Sequence, residues 1–280
     1  MLRILNTTEM GKRFQIGWAA TIAAAVLTLA SAVQAVSIPH GTLDLVAEDQ
    51  AIQPGKTFYA GLKFSLEPGW HIYWINPGDA GQPPRVTWRL PSGITAGAIE
   101  WPYPQPLAAF SAMDFGYEGD VLLLVPMKAD AAIKAENTAN LGAEVKLIVC
   151  REMCIPGRAQ LSLALPVKGQ AEPQPAAKPW FDGARKKLPR PAPRNWTFRA
   201  TDQKDSFRLI ATVGRPVSKA IFFPLEESQI ANAAPQNVQP SKSGFQMTLK
   251  KSNELVKPIA HLKGVLVLDG QAYEVDAPVK

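Results

Sequence analysis

Hydrophobic residues occupy every second position between Phe58 and Leu66: Phe58, Ala60, Leu62, Phe64 and Leu66 share one face. A period of two predicts a half-buried strand. The pattern recurs at Ala143, Val145, Leu147 and Val149, interleaved with Glu144, Lys146 and Ile148, and again at Leu161, Leu163 and Leu165. Leu43–Val46 is a shorter candidate, and Val121–Val125 is a continuous apolar run that Pro126 is expected to end. Further along, Trp196, Phe198 and Ala200 share a face, as do Phe207, Leu209, Ala211 and Val213. Phe245, Met247 and Leu249 form another set, followed by Val265–Leu268 and by Tyr273 with Val275. No helical period longer than two turns occurs in Val36–Val167. Short strands between Gly/Pro turns predict an all-β protein built as an antiparallel sandwich, followed by a second, smaller β domain.

Composition narrows this further. Of 280 residues, 25 are Pro and 20 are Gly, which disfavours long helices. With only 2 Cys and 3 His, a multi-metal enzyme or a disulfide-dense scaffold is excluded. The start of the chain reads as an address. Arg3, Lys12 and Arg13 face one acid, Glu9; the uncharged run Ile16–Ala30 follows; Val33 and Ala35 stand where a signal peptidase needs small residues. Residues 1–35 are therefore expected to be a cleaved signal peptide, the apolar run being shorter than the ~20 residues of a spanning helix. The mature chain would be exported to the periplasm, where disulfides persist. The expected layout is a β-sandwich over 36–167, a Pro-rich basic linker over 168–194 and a second β domain over 195–280. Within the linker, Trp180–Leu188 is expected to form one or two helical turns.

Both cysteines lie in Cys150-Arg151-Glu152-Met153-Cys154. Along a continuous strand their Cα atoms would stand ~13 Å apart, whereas a disulfide needs about 4.4–6.8 Å. The pair closes only if the chain turns between them, and the strands expected on either side make Arg151-Glu152-Met153 the tip of a hairpin. Three readings of the pair stay open here. It is a plain structural bridge, although so small a loop restricts the unfolded chain little. It is a reversible redox couple. Or it is a soft-metal site, in which Cys150, Cys154, Met153 and His71 suit Cu(I).

Three separated stretches resemble one family. Glu67-Pro-Gly-Trp-His-Ile-Tyr-Trp-Ile-Asn-Pro-Gly-Asp-Ala-Gly81, Phe115-Gly-Tyr-Glu-Gly119 and Ile148-Val-Cys-Arg-Glu-Met-Cys-Ile-Pro156 are similar to the N-terminal periplasmic domain of the DsbD/ScsB thiol:disulfide interchange proteins, over about Ile38–Val167. The cysteine spacing resembles the ScsB-like branch. Phe222-Phe-Pro224 and Leu262-Lys-Gly-Val-Leu266 give a fainter likeness to the companion β domain. The resemblance implies an immunoglobulin-like sandwich whose two cysteines shuttle electrons without a cofactor or metal. Cys154 would be the attacking thiol and Cys150 the resolving one. It implies a cap formed by Asp114, Phe115 and Tyr117, with Phe115 as the shield, and places His71 and Tyr73 beside the sulfurs. Expected partners are thioredoxin-like periplasmic proteins or domains. Relatives carry a membrane electron-transfer domain and a thioredoxin-like domain that this sequence lacks, so a separate reductant, such as a membrane electron-transfer protein, is expected.

The remaining residues have plainer explanations. Trp70, Trp74, Trp88 and Trp101 suit core and loop packing. His71 suits a polar neighbour of the sulfurs, and Asn76-Pro-Gly-Asp79 a turn. Lys178, Arg185, Lys186, Lys187, Arg190 and Arg194 suit a solvated connector, with anionic lipid headgroups as the alternative. No nucleic-acid motif, phosphate loop or nucleophile elbow is present. Two classes of function follow: a dithiol/disulfide carrier acting on protein substrates, or a non-enzymatic copper-handling or adaptor module holding a structural disulfide.

Overall fold

The computed structural model of the chain describes residues 35–109 and 112–280. All but the last residue of the expected signal peptide, 1–35, lies outside them. The alternating runs become strands β1 (Val36–Ile38), β2 (Gly41–Ala47), β3 (Asp49–Ala51), β4 (Thr57–Leu66), β5 (His71–Gly78) and β6 (Arg85–Arg89). They continue as β7 (Ile94–Ala96), β8 (Gln105–Ala109), β9 (Ala112–Glu118), β10 (Asp120–Ala129), β11 (Thr138–Cys150) and β12 (Cys154–Pro166). Two antiparallel sheets result. One has the order β1-β2-β4-β10-β7; the other has β12-β11-β5-β9-β8, with β6 also paired to β11. Their inner faces meet in one core: the expected face of β4 is buried there, opposite Val145, Leu147 and Val149 of β11. This is the immunoglobulin-like sandwich.

β10 departs from expectation. Pro126 does not end it; pairing with β4 runs on to Lys128↔Thr57. On its other edge Pro126 accepts from the Gly97 amide at 2.8 Å, just past the end of β7 at Ala96, so its missing N–H falls where the ladder on that edge stops. The continuous apolar run also has a cause. Val121, Leu123 and Val125 point into the sandwich, while Leu122 and Leu124 point outward beneath a helix.

That helix, α1 (Lys178–Lys187), follows the short β13 (Glu172–Pro173) and is the expected helical turn within the basic segment. Pro179 stands in its first turn, where no N–H is needed, and Arg185, Lys186 and Lys187 crowd its C-terminal end, where the helix dipole favours cations. Phe181 and Ala184 are buried against Leu122 and Leu124. Arg185 grips Glu48 through two hydrogen bonds of 2.5 Å and lies over the Tyr59 ring at 4.7 Å. The segment expected to be a solvated connector is therefore docked on the outer face of the first sheet.

The rest is a smaller sandwich. β14 (Thr197–Asp202), β15 (Ser206–Thr212), β16 (Ile221–Pro224), β17 (Asn237–Ser241), β18 (Gly244–Lys250), β19 (His261–Leu268) and β20 (Gln271–Pro278) form two sheets, β14-β15-β18-β17 and β16-β19-β20. Phe207, Leu209, Phe245 and Met247 fill its core. Phe223, Val265 and Ala272 belong instead to the core of the first sandwich. The Phe223 ring meets Phe115 edge-on at 5.2 Å and Trp74 at 6.2 Å.

Candidate functional site

β11 and β12 pair residue by residue from Thr138↔Pro166 to Cys150↔Cys154. The alternation that buries Val145, Leu147 and Val149 turns Cys150 to the outer face, and the pairing turns Cys154 the same way. Arg151-Glu152-Met153 forms the exposed tip, closed by the Arg151 amide donating to the Met153 carbonyl at 3.2 Å. The two sulfurs are joined, with Cα atoms 4.2 Å apart. Their surroundings differ. Cys150 lies between β12 and β5, opposite His71, and is 2% exposed. Cys154 begins an edge strand and is exposed. Of the two cysteines, Cys154 is therefore the one open to solvent.

Tyr73 and His71 come to the sulfurs on alternate outward positions of β5. The Tyr73 Oη lies 3.6 Å from Cys154 Sγ. A disulfide sulfur carries no proton, so the phenol donates. Burial and the charge of Asp114 push the Tyr73 hydroxyl well above its ordinary value, which keeps that donor in place. The His71 ring stands edge-on to Tyr73 at 5.1 Å. Its Nε2 is 3.9 Å from Asp114 Oδ2 and has no hydrogen-bond partner. Burial lowers the His71 pKa. It raises that of Asp114, against the opposing hydrogen bond from the Ala80 amide at 3.0 Å and with added repulsion from Asp79.

A pH effect follows. His71 is held below its ordinary 6.5, so on acidification the unfolded chain takes up the proton first. The stabilising contribution of neutral His71 is present above that value and lost as pH falls through its folded pKa. Asp114 acts in the opposite sense, favouring the folded state towards acid. The urea midpoint of the native protein is expected to fall more steeply between pH 7 and 5 than that of His71→Gln. Parallel curves would show that His71 is not buried in its neutral form.

Cys150, Cys154, His71, Tyr73 and Asp114 thus converge on the outer face. Phe115 and Tyr117 do not. Ile72 pairs with Tyr117 and Tyr73 with Gly116, so Phe115 and Tyr117 project into the core with Ile72. The expected shielding role of Phe115 is corrected accordingly: its ring is 2% exposed and packs on Phe223. The Tyr117 hydroxyl donates to the Pro102 carbonyl at 2.6 Å.

The stretch expected to be a simple turn does more. Asn76 is 1% exposed and donates to the Pro224 carbonyl at 2.8 Å and that of Glu226 at 3.2 Å, both in the second sandwich. Asp79 accepts from the Met113 amide and from Asn232 Nδ2, each at 2.8 Å. Gly81, at φ 84°, lies on the Tyr73 ring so closely that a Cβ there would meet Cζ at 2.1 Å. The shelf over Tyr73 is thereby tied to both β9 and the second sandwich. At the hairpin tip, Arg151 lies over the Trp70 ring at 5.3 Å, and His40 stacks on the same ring at 3.6 Å. Among the described residues no group of three or more His, Cys, Asp or Glu could hold a metal ion, and no helix is long and apolar enough to cross a membrane.

Residues 42–166 match the family described as thiol:disulfide interchange protein DsbD, N-terminal. Among solved structures, the chain is similar to the N-terminal periplasmic domain of ScsB from Proteus mirabilis. The TM-score is 0.66 at 18% identity, covering 88% of this chain and 97% of that one. No curated protein matches the sequence.

Proposed function

Residues 42–166 being a DsbD N-terminal family domain, we propose that this chain is a thiol–disulfide interchange protein passing electron pairs between proteins through Cys150 and Cys154. The observation that carries this reading is the unequal pair at the hairpin mouth: an exposed Cys154 and a buried Cys150 joined to each other. In the reduced form, the Cys154 thiolate attacks a partner disulfide. A Cys154–partner bond forms and the partner's other sulfur leaves as a thiolate. The Cys150 thiolate then attacks Cys154 Sγ, the intramolecular disulfide re-forms, and the partner departs with both electrons. The Tyr73 hydroxyl, already aimed at Cys154 Sγ, stabilises that sulfur as the attacking thiolate, because a hydrogen bond to the charged form favours it.

Reduction is the same sequence in reverse, driven by a thioredoxin-like protein or a separate membrane electron-transfer protein. Export to the periplasm by cleavage after Ala35 fits this chemistry, and the similar ScsB domain is described as periplasmic. Cys150→Ala is the direct test. Reduced and mixed with a thioredoxin-like protein that keeps one active-site cysteine, activated as a mixed disulfide with a small thiol leaving group, it is expected to accumulate a covalent heterodimer that dithiothreitol dissolves and Cys154→Ala does not form. If no conjugate forms, and the native disulfide survives a thioredoxin-range redox buffer, the pair is a staple and the proposal fails.

A further inference from the structure

The outer face that carries the sulfurs continues along β11 and β12 in an ordered way. Two residues below Cys150↔Cys154 lies the pair Ile148↔Pro156, and two residues further Lys146↔Arg158. Lys146 is also directly opposite Arg85 on β6. Three exposed cations therefore stand abreast on three neighbouring strands. Four residues of strand put them ~13 Å from the cysteines, in a row ~10 Å wide. They line a depression of about 490 Å³ with Ile148 and Pro156.

Like charges directly opposite each other in a sheet are destabilising, and here two such pairs are adjacent. Internal compensation is partial. Glu144 takes Arg158 at 2.7 Å and also serves Arg89 at 3.4 Å. Arg85 and Lys146 have no ion-pair partner among the described residues. Glu152, at the hairpin tip, lies beyond the sulfurs rather than beside this row.

We propose that this row is a docking surface for the partner protein, one that carries a cluster of carboxylates about 13 Å from its reacting cysteine. The inference rests on the exchange reading above. A protein fits better than a lipid surface, because the row is continuous, through the apolar step at Ile148 and Pro156, with a sulfur that must meet another sulfur. Carboxylates laid on the row would relieve its repulsion and orient the incoming disulfide, an effect expressed mainly in association rate and partner choice.

Two peptides test it, each with one cysteine followed four residues later by two glutamates or, in the twin, two glutamines. With serine replacing the cysteine, binding to the oxidised protein reads the surface alone. As activated mixed disulfides, the same peptides read exchange with the reduced protein. The acidic peptide is expected to bind, and to react, at least about fivefold better at low salt, with the preference gone near 0.5 M salt. In the variant carrying Arg85→Glu, Lys146→Glu and Arg158→Glu, that preference should vanish while neutral 2-hydroxyethyl disulfide reacts within about twofold of the native rate. Equal binding of both peptides to the native protein, or a preference unchanged in the variant, overturns the docking surface. So does binding of anionic vesicles with neither peptide distinguished. Selective binding of the serine peptide without any exchange upholds the surface and defeats the carrier reading instead.

Discussion

Cys154→Ser is expected to reduce thiol–disulfide exchange by ~10³-fold or more, because the thiolate is the nucleophile and a serine hydroxyl does not replace it. The protein should remain folded. A disulfide closing a loop of this size restricts the unfolded chain by about 2 kcal/mol at most in the chain-entropy picture. The hairpin it closes is already held by pairing along the whole of β11 and β12. Cys150→Ser should behave differently. Its Cys154 still attacks, but with no second sulfur the reaction stops after one half-turnover. Stopped-flow rates with a thioredoxin-like disulfide, alongside urea unfolding, separate the two variants. If Cys154→Ser kept exchanging at near-native rate, or if it unfolded, the roles assigned to the two sulfurs would be wrong.

Phe223→Ala is expected to lower stability by about 3–5 kcal/mol, the range for emptying a fully buried aromatic site. Phe223 is 2% exposed, and its ring fills a gap between Phe115 and Trp74 of the other sandwich. The loss should appear in the first sandwich as well as the second, since Val265 and Ala272 share that core. Native unfolding is therefore expected to be a single transition and the variant to show an earlier, broader one. A loss below about 1 kcal/mol would mean that the two cores are energetically separate.

Much of this was legible in the sequence because it is local. Period-two alternation locates β4, β11, β12 and β15, and two cysteines four residues apart between two such runs require a hairpin. The placement of Phe115 is legible too. Asp114 and Phe115 are neighbours in a strand, so they face opposite ways, and only one of them can meet the sulfurs. Other features depend on contacts that local patterning does not carry. Asn76 looks like a turn residue because its bonds go to Pro224 and Glu226, about half a chain away. Pro126 reads as a strand end because local patterning does not show that its missing N–H falls at the end of the neighbouring β7. The basic segment looked solvated because Glu48, which holds Arg185, lies well over a hundred residues earlier.

The burial of Cys150 beside an open Cys154 has a kinetic corollary. On the exchange reading proposed above, one doorway serves both the protein that delivers electrons and the protein that collects them, so the two are expected never to be aboard together. Turnover must then alternate, each protein leaving before the other arrives. At high concentration either one inhibits the other by occupying the form of the carrier it cannot convert.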